Sequence, residues 1–240
     1  MASSYSTNAQ LEIITTGEKA GQWGGITNTN LQILEQTSTG VLDIDISAGS
    51  STLLLTDGSI STGKNIYLRL HGTLAASRTV TMPVTAERVW IMKDDTVRGT
   101  SNYTVGVLTA SGTTQPIPPG ATVLCKSNGS ETVVSIIEKG YETITDANSP
   151  YTVVAGAQIL ANTTSTTITV TLPAAASTGD EVTIIDARGT WGSNNLTVGR
   201  NGLKINSGTA DLTLSNNGQS ITLVYVDATR GWAYKTNYTS

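Results

Sequence analysis

The segment ITVTLP at residues 168–173 indicates how this chain folds. Ile168, Val170 and Leu172 alternate with Thr169 and Thr171. Successive side chains of a β-strand point to opposite faces of the sheet, so a period of two residues predicts one apolar face and one hydroxyl-bearing face. The segment is therefore expected to be a strand that covers a core on one side only.

Related segments recur in the same order in both halves of the chain. TVTMP at 79–83 matches TVTLP at 169–173, and VWIMKD at 89–94 matches VTIIDA at 182–187. NYTVGV at 102–107 then matches NLTVGR at 195–200, and TVLCKSNG at 122–129 matches ITLVYVDA at 221–228. Chance similarity between Thr-rich strands is the alternative, but four ordered blocks favour an internal duplication.

The composition of the whole chain favours an all-β fold. Of 240 residues only 13% are charged, which is low for surface helices. Short strands lie between turn signals such as Asp57-Gly58, Asn128-Gly129 and Asn201-Gly202. Strands at 8–12-residue intervals are typical of sandwiches and barrels. The sequence thus predicts two related antiparallel β-sandwich or barrel-like domains, at residues 41–139 and 140–240.

Alternation also predicts the core of the second domain. One set of side chains is expected to be buried, with Thr169, Thr171 and Thr197 on the opposite face, because a one-residue slip would expose the whole apolar set. The predicted core consists of Ile168, Val170, Leu172, Val182, Ile184, Leu196, Val198, Leu212, Leu214 and Leu223.

Residues 1–40 differ from the rest and are interpreted as an N-terminal arm. A Gly-rich stretch around Trp23 precedes one short helix, which Asn28 or Asn30 is expected to cap. This helix carries Leu31, Ile33 and Leu34, and two helical turns cannot bury that apolar face alone. The arm must therefore dock, either on other chains or on the chain's own first domain.

Charge and hydropathy argue against several classes of protein. A net charge of −4 disfavours a broad surface for gripping nucleic-acid phosphates. No run approaches 18 apolar residues, and the first ten residues do not have the pattern of a secretory signal, so neither a membrane span nor a leader is expected. Cys125 is the single cysteine, so an internal disulfide is excluded.

Catalytic and metal-binding patterns are weak. His71 is the one histidine, and neither HExxH nor CxxC spacing occurs, so no cofactor or metal is expected. Acidic pairs at Asp43/Asp45, Asp94/Asp95 and Asp180/Glu181 could serve glycoside hydrolysis, but solvated strand and turn positions account for them. A calcium-binding turn is a weaker alternative, because DxDxDG-type spacing is lacking. The chain is expected not to be an enzyme.

The arm resembles the N-terminal segments of virion structural proteins of tailed bacteriophages, of the tail-fibre or decoration type found in marine and cyanobacterial phages. A short apolar run, a GE-x-x-G-x-WG segment and N-x-N-L are shared. The C-terminal half resembles a module at the ends of such proteins through YTVVAG, TVTLP, NLTV and VDATRGWAYK. The matching arm positions are Gly17, Glu18, Gly21, Trp23, Gly24, Asn28, Asn30 and Leu31.

The resemblance implies a non-enzymatic virion protein, tail-associated and homotrimeric, with other tail, collar or capsid proteins as partners. A capsid decoration or collar protein is the first alternative, since no coiled coil or β-helix repeat supplies a fibre shaft. A receptor- or glycan-binding module is the second, with Tyr103, Trp191 and Trp232 as stacking platforms. Docking is expected to use Gly17, Glu18, Trp23, Gly24, Asn28, Asn30, Leu31, Ile33 and Leu34, with Trp23 as the anchor.

Overall fold

The computed structural model describes residues 4–99, 101–109 and 112–238. Residues 1–3 of the predicted arm, 100, 110 and 111 of the predicted first domain, and 239–240 of the second lie outside this description. The described chain is mostly β-strand with a single α-helix, so the prediction of an all-β protein is confirmed.

The chain divides into two compact units. The first consists of Met1–Val97, Thr104–Ile117 and Thr122–Ile137. The second consists of Arg98–Tyr103, Pro118–Ala121 and Glu138–Ser240. The segment predicted to be a separate arm belongs to the first of these units.

In the first unit, a short hairpin and the helix precede two sheets. The hairpin is formed by β1 (Ser4–Tyr5) and β2 (Glu12–Ile13), and the helix is α1 (Trp23–Thr39). A short 3-10 helix, η1, spans Thr62–Lys64. The sheet strands, in chain order, are β3 (Val41–Asp45), β4 (Ser51–Thr52), β5 (Tyr67–Thr73), β6 (Arg78–Thr81), β7 (Glu87–Val97), β8 (Val105–Leu108), β9 (Thr114–Ile117), β10 (Thr122–Asn128) and β11 (Thr132–Glu138).

The second unit repeats this series without the arm. One 3-10 helix, η2, spans Asp146–Asn148. The strands are β12 (Tyr141–Ile144), β13 (Tyr151–Thr152), β14 (Gln158–Ala161), β15 (Ile168–Thr171), β16 (Glu181–Asp186), β17 (Leu196–Gly199), β18 (Leu212–Leu214), β19 (Ser220–Asp227) and β20 (Gly231–Tyr238).

From β3 to β8, consecutive strands alternate between two sheets. Within each sheet, these strands pair with one another in parallel. In the first unit β3, β5 and β7 are parallel in one sheet, and β4, β6 and β8 are parallel in the other. Val41 lies beside Tyr67, and Tyr67 lies beside Ile91. The chain therefore winds in successive coils, which is the arrangement of a β-solenoid.

The prediction of antiparallel sandwich or barrel domains is therefore wrong, and so is the expectation that the chain has no repeat of the β-helix type. Apart from the β1–β2 hairpin, the antiparallel pairs of the first unit's described strands lie where the winding ends, as between β7 and β10, and between β8 and β9. The error has a physical cause. Solenoid coils built from two short strands give the same strand lengths, turn spacing and alternation as a sandwich, while strand direction depends on which segments hydrogen-bond.

The two units share one topology. The larger sheets have the orders β11-β10-β7-β5-β3 and β20-β19-β16-β14-β12, and the smaller ones have β4-β6-β8-β9 and β13-β15-β17-β18. VWIMKD and VTIIDA lie in corresponding strands, β7 and β16, each the central strand of its larger sheet. The sequence match between them is offset by one residue from the match of their buried positions. Trp90 and Met92 face the core in β7, where Val182 and Ile184 do so in β16. The common topology supports a duplication.

Burial in the second unit follows the alternation of the sequence. Nine of the ten predicted core residues are buried, and Leu212 is half-buried and packed against the same cluster. Thr169, Thr171 and Thr197 are partly exposed on the other face. The face assignment made from the period of two is therefore correct.

Candidate attachment surface on the N-terminal arm

The helix α1 begins earlier and is longer than the sequence indicates. It starts at Trp23 with Gln22 at the N-cap position, and no side chain caps it. Asn28 and Asn30 lie within the helix, so the prediction that one of them caps its start is wrong. Gly24 and Gly25, which have low helical propensity, are in its first turn. The helix therefore begins in a stretch of low helical propensity.

The Gly-rich segment before α1 forms tight turns. Gly17 and Gly21 have φ of 86° and 75°, in the left-handed region that favours glycine. The amide of Glu18 donates to the carbonyl of Thr15 at 3.0 Å. These residues direct the chain from the hairpin into α1.

Asn30 ties the helix to the hairpin. The Glu12 amide donates to Asn30 Oδ1 at 3.0 Å, and Asn30 Nδ2 donates to the Glu12 carbonyl at 2.9 Å. The side-chain amide thus satisfies both backbone groups of one residue, as a neighbouring strand would. Asn30, which was expected to take part in docking, thus has a role inside the arm, where it joins α1 to the hairpin.

One face of α1 packs on its own unit. Ile33 is fully buried, and Ile26, Thr29, Asn30, Gln36 and Thr37 on the same side are partly covered. Gln36 Oε1 accepts a hydrogen bond from the Ser61 amide at 3.3 Å. In the hairpin, Asn8 Oδ1 accepts from the Glu87 amide at 3.1 Å, and the Gln10 carbonyl accepts from the Gly58 amide at 2.8 Å. The arm is thus seated on its own unit.

Two cations, the buried Lys64 and the partly covered Arg88, support the surface on which the arm packs. Lys64 is fully buried, and its Nζ donates to the carbonyls of Thr56 and Ser59 at 2.7 Å each. Burial lowers the pKa of Lys64, and the nearby charge of Arg88 lowers it further. Arg88, whose pKa is also lowered by burial, donates from one terminal nitrogen to the Asn8 carbonyl and from the other to the Lys64 carbonyl. Sequence reasoning missed this role, because Thr62-Gly63-Lys64 indicated only a turn.

The other face of α1 is exposed and apolar. Trp23 is 64% exposed, Leu31 58% and Leu34 46%. Trp90, Trp191 and Trp232, by contrast, are fully buried. We call the exposed set Trp23, Thr27, Leu31, Leu34 and Ser38 the outer stripe. Of the predicted docking residues, Trp23, Leu31 and Leu34 lie on it, while Ile33 faces the chain's own core.

The residues considered for sugar stacking and for acid catalysis are buried or engaged in contacts within the fold. Trp191 and Trp232 are buried, so neither ring offers a surface on which a sugar could stack. Asp94 is buried and accepts hydrogen bonds from the amide and hydroxyl of Thr96, which corrects the expectation that it is solvated. Asp95 forms an ion pair with Arg69 at 2.7 Å. Hydrogen bonds from Lys235 and Lys139 lower the pKa of Glu181.

The described residues contain neither a cluster of metal-binding side chains nor a helix fit to cross a membrane. Within residues 4–99, 101–109 and 112–238, no three His, Cys, Asp or Glu side chains are grouped so as to hold a metal ion. Over the same described ranges, no helix has the length and hydrophobicity that a membrane crossing requires.

Comparisons with known proteins identify no family for this chain. No protein-family model matches the chain, and no curated protein matches it. Among the solved structures that match is a chain of "Structure of a chaperone-substrate complex", with a TM-score of 0.37 and 15% identity. The match covers 81% of this chain and 36% of the other, so the chain spans about a third of that protein's length. A likeness at this TM-score carries no argument about fold or function.

Proposed function

We propose that this protein is a non-enzymatic structural component of a tailed-phage virion, attached through the outer stripe of α1. The carrying observation is the exposure of Trp23, when the other three tryptophans are fully buried. An exposed indole beside exposed leucines is typical of interaction sites, because apolar patches left in water usually mark an interface.

The residues behind the resemblance to phage proteins divide into two groups in the fold. Gly17, Gly21 and Asn30 shape the arm through positive φ angles and the contact with Glu12. Trp23 and Leu31 point away from the unit. The shared pattern therefore includes residues that shape the arm and residues that the arm exposes. This combination supports an attachment role for the arm.

The resemblance favours a tail-fibre or tail-associated position, with other virion proteins as partners and a homotrimeric assembly. Two solenoid units following an arm suit a projecting or capping component. The same geometry suits a capsid decoration or collar protein, and the experiment below distinguishes these positions.

The test is to locate the protein on purified particles. Antibodies against the second unit, detected by gold labelling in electron microscopy, should decorate particles at one recurring position, on the tail, the collar or the capsid. Mass spectrometry of the same gradient-purified particles should recover peptides of the chain in constant ratio to the major capsid protein. If the chain is absent from intact particles while abundant in the lysate, the proposal is wrong.

A further inference from the structure

Three Asn-Gly pairs lie in turns of this chain, at Asn128-Gly129, Asn201-Gly202 and Asn217-Gly218. An asparagine that precedes glycine can deamidate without an enzyme, because the glycine nitrogen can attack the side-chain carbonyl carbon and glycine has no Cβ to obstruct the approach. All three pairs are exposed, so access of water does not distinguish them. They differ in the hydrogen bonds that surround each side chain.

The hydrogen bonds at Asn217-Gly218 oppose deamidation. The Gly218 amide donates to Oδ2 of Asp186 at 3.0 Å, and a carboxylate beside this nitrogen disfavours the loss of its proton. Asn217 Oδ1 accepts from the Gly192 amide at 2.6 Å, which ties the side chain to another loop. The nucleophile and the side chain of this pair are therefore both held by other groups.

The side chain of Asn201 is held through its nitrogen. Asn201 Nδ2 donates to the carbonyl of Leu172, just after β15, at 2.9 Å. Deamidation requires this side chain to close a ring with the backbone nitrogen of Gly202. The bond to Leu172 must break before the ring can close, so the fold slows the reaction at this pair as well.

At Asn128, in contrast, the donors face the side-chain carbonyl oxygen. Asn128 is the last residue of β10, and its Oδ1 accepts from the amides of Ser130 and Glu131 at 3.1 and 2.8 Å. The hydroxyl of Ser130 donates to the same oxygen at 3.1 Å. Attack on Cγ places negative charge on Oδ1, and donors already directed at that oxygen stabilise the charge, as in an oxyanion hole.

The nucleophile of this pair is also less firmly held. The Gly129 amide donates to the hydroxyl oxygen of Ser127 at 3.2 Å. A bond to a neutral hydroxyl is weaker than the bond that Gly218 makes to a carboxylate, and it leaves the proton easier to remove. The nitrogen that must attack and the oxygen that must take up charge are thus both favourably placed at Asn128.

From these contacts we infer that Asn128 is a site of spontaneous deamidation in the folded protein, and that its own hairpin activates the side-chain amide. The Gly129 nitrogen bonds to Cγ of Asn128 and gives its proton to water. The bond from Cγ to Nδ2 then breaks, and the nitrogen takes a proton back from water and leaves as ammonia. Water opens the resulting succinimide to aspartate or isoaspartate. The turn between β10 and β11 thereby gains a negative charge, independently of the proposed function.

The test compares the three pairs within one full-length protein. Native wild type is incubated in mildly alkaline buffer, and its peptides are mapped by mass spectrometry, with isoaspartate and aspartate separated by chromatography. A parallel sample is incubated in concentrated urea, where the unfolded pairs share only the Asn-Gly sequence. In the native protein Asn128 should deamidate at least about ten times faster than Asn201 and Asn217, and the three rates should converge in urea.

Two results would overturn the inference. In one, Asn201 or Asn217 deamidates as fast as Asn128 in the native protein. In the other, Asn128 is as far ahead in urea as in the native protein, which would mean that local sequence and not the folded hairpin sets its rate.

Activation by the hairpin is tested by Ser130→Ala, which removes the hydroxyl donor and keeps both amides. Deamidation of Asn128 should slow by about threefold or more. Ser135→Ala, at an exposed position of β11, is the matched control and should leave the rate unchanged. Slow deamidation of Asn201 and Asn217 in the same samples reports that each variant is folded. An unchanged rate at Asn128 in folded Ser130→Ala would contradict activation by these donors.

Discussion

Asp186 organises a loop of the second unit through its carboxylate. Oδ1 accepts hydrogen bonds from the amides of Arg188, Gly189 and Thr190, and Oδ2 accepts from those of Trp191 and Gly218. Burial alone raises the pKa of Asp186, but these backbone donors outweigh it, and the pKa lies below its ordinary value. The ionised form is therefore the one that the fold requires.

Asp186→Asn should lower the free energy of unfolding by about 2 kcal/mol or more, because an amide nitrogen meets amide donors where an oxygen now accepts. The stabilisation is present above the unfolded pKa of about 3.9 and is lost as the pH falls through the lower folded value. Urea melts at pH 7 and pH 3 should show the difference between wild type and variant shrinking in acid. Asp227→Asn, at an exposed turn, is the control and should change little. A difference independent of pH would contradict this account of Asp186.

Leu196 and Thr197 test the faces of one strand. Leu196 is fully buried, while Thr197 lies on the outer face. Leu196→Ala should cost about 2–4 kcal/mol through lost burial and the cavity left behind, whereas Thr197→Ala should cost about 0.5 kcal/mol or less. Chemical denaturation of the two variants measures this, and equal losses would show that the strand is not one-sided.

At the scale of residues, the sequence predicts well which face of a strand is buried. It predicts poorly which groups a polar side chain hydrogen-bonds. Alternation alone identified the buried side of β15 and β17, because burial of one face fixes the register. The roles of Asp186 and Lys64 depend on backbone groups that folding brings together from separate loops, and no local pattern reports them. Asp94, which the sequence placed beside a solvated turn, is buried for the same reason.

At the scale of elements, α1 has one face that packs on its own unit and one face that is exposed. Ile33→Ala should destabilise the first unit by about 2–4 kcal/mol, because Ile33 is fully buried. Leu34→Ala should change the free energy of unfolding by no more than about 0.5 kcal/mol, because Leu34 is exposed. Hydrogen exchange of α1 amides should accelerate in the first variant and stay unchanged in the second. The reverse result would mean that the faces are exchanged.

The limits of the helix could not be read from local signals. Asn30 is a favoured N-cap residue, yet its amide is used to hold Glu12. Two glycines that oppose helix formation lie in its first turn, and the residue that anchors the helix in the core, Ile33, lies more than two turns further along. The apolar residues of the arm predicted that it docks on another surface, but which of them pack on its own unit and which face outward required the structure.

For the whole molecule, the sequence predicted the internal repeat but not the solenoid arrangement of its strands. Matched blocks occupy matching strands in sheets of the same order, and the all-β class follows from composition. Parallel coils were missed, because the period of two is the same for parallel and antiparallel strands and only the hydrogen-bond partners differ. Under our proposal, the residues that attach the protein to a particle are defined by the assembly, and the observation in a single chain that motivates the proposal is the exposure of Trp23.

The central claim, that the outer stripe attaches the protein to the virion, is tested most directly by competition during assembly. Wild type and a Trp23→Ser, Leu31→Ser, Leu34→Ser form, carrying different tags, would be expressed equally in infected host cells, and their ratio in purified particles measured by quantitative mass spectrometry. A second competition would use Val133→Ser and Ile137→Ser as the control. We expect the stripe form to be depleted at least about tenfold and the control to match the wild type. Equal incorporation of the stripe form, with both variants folded, would contradict the claim.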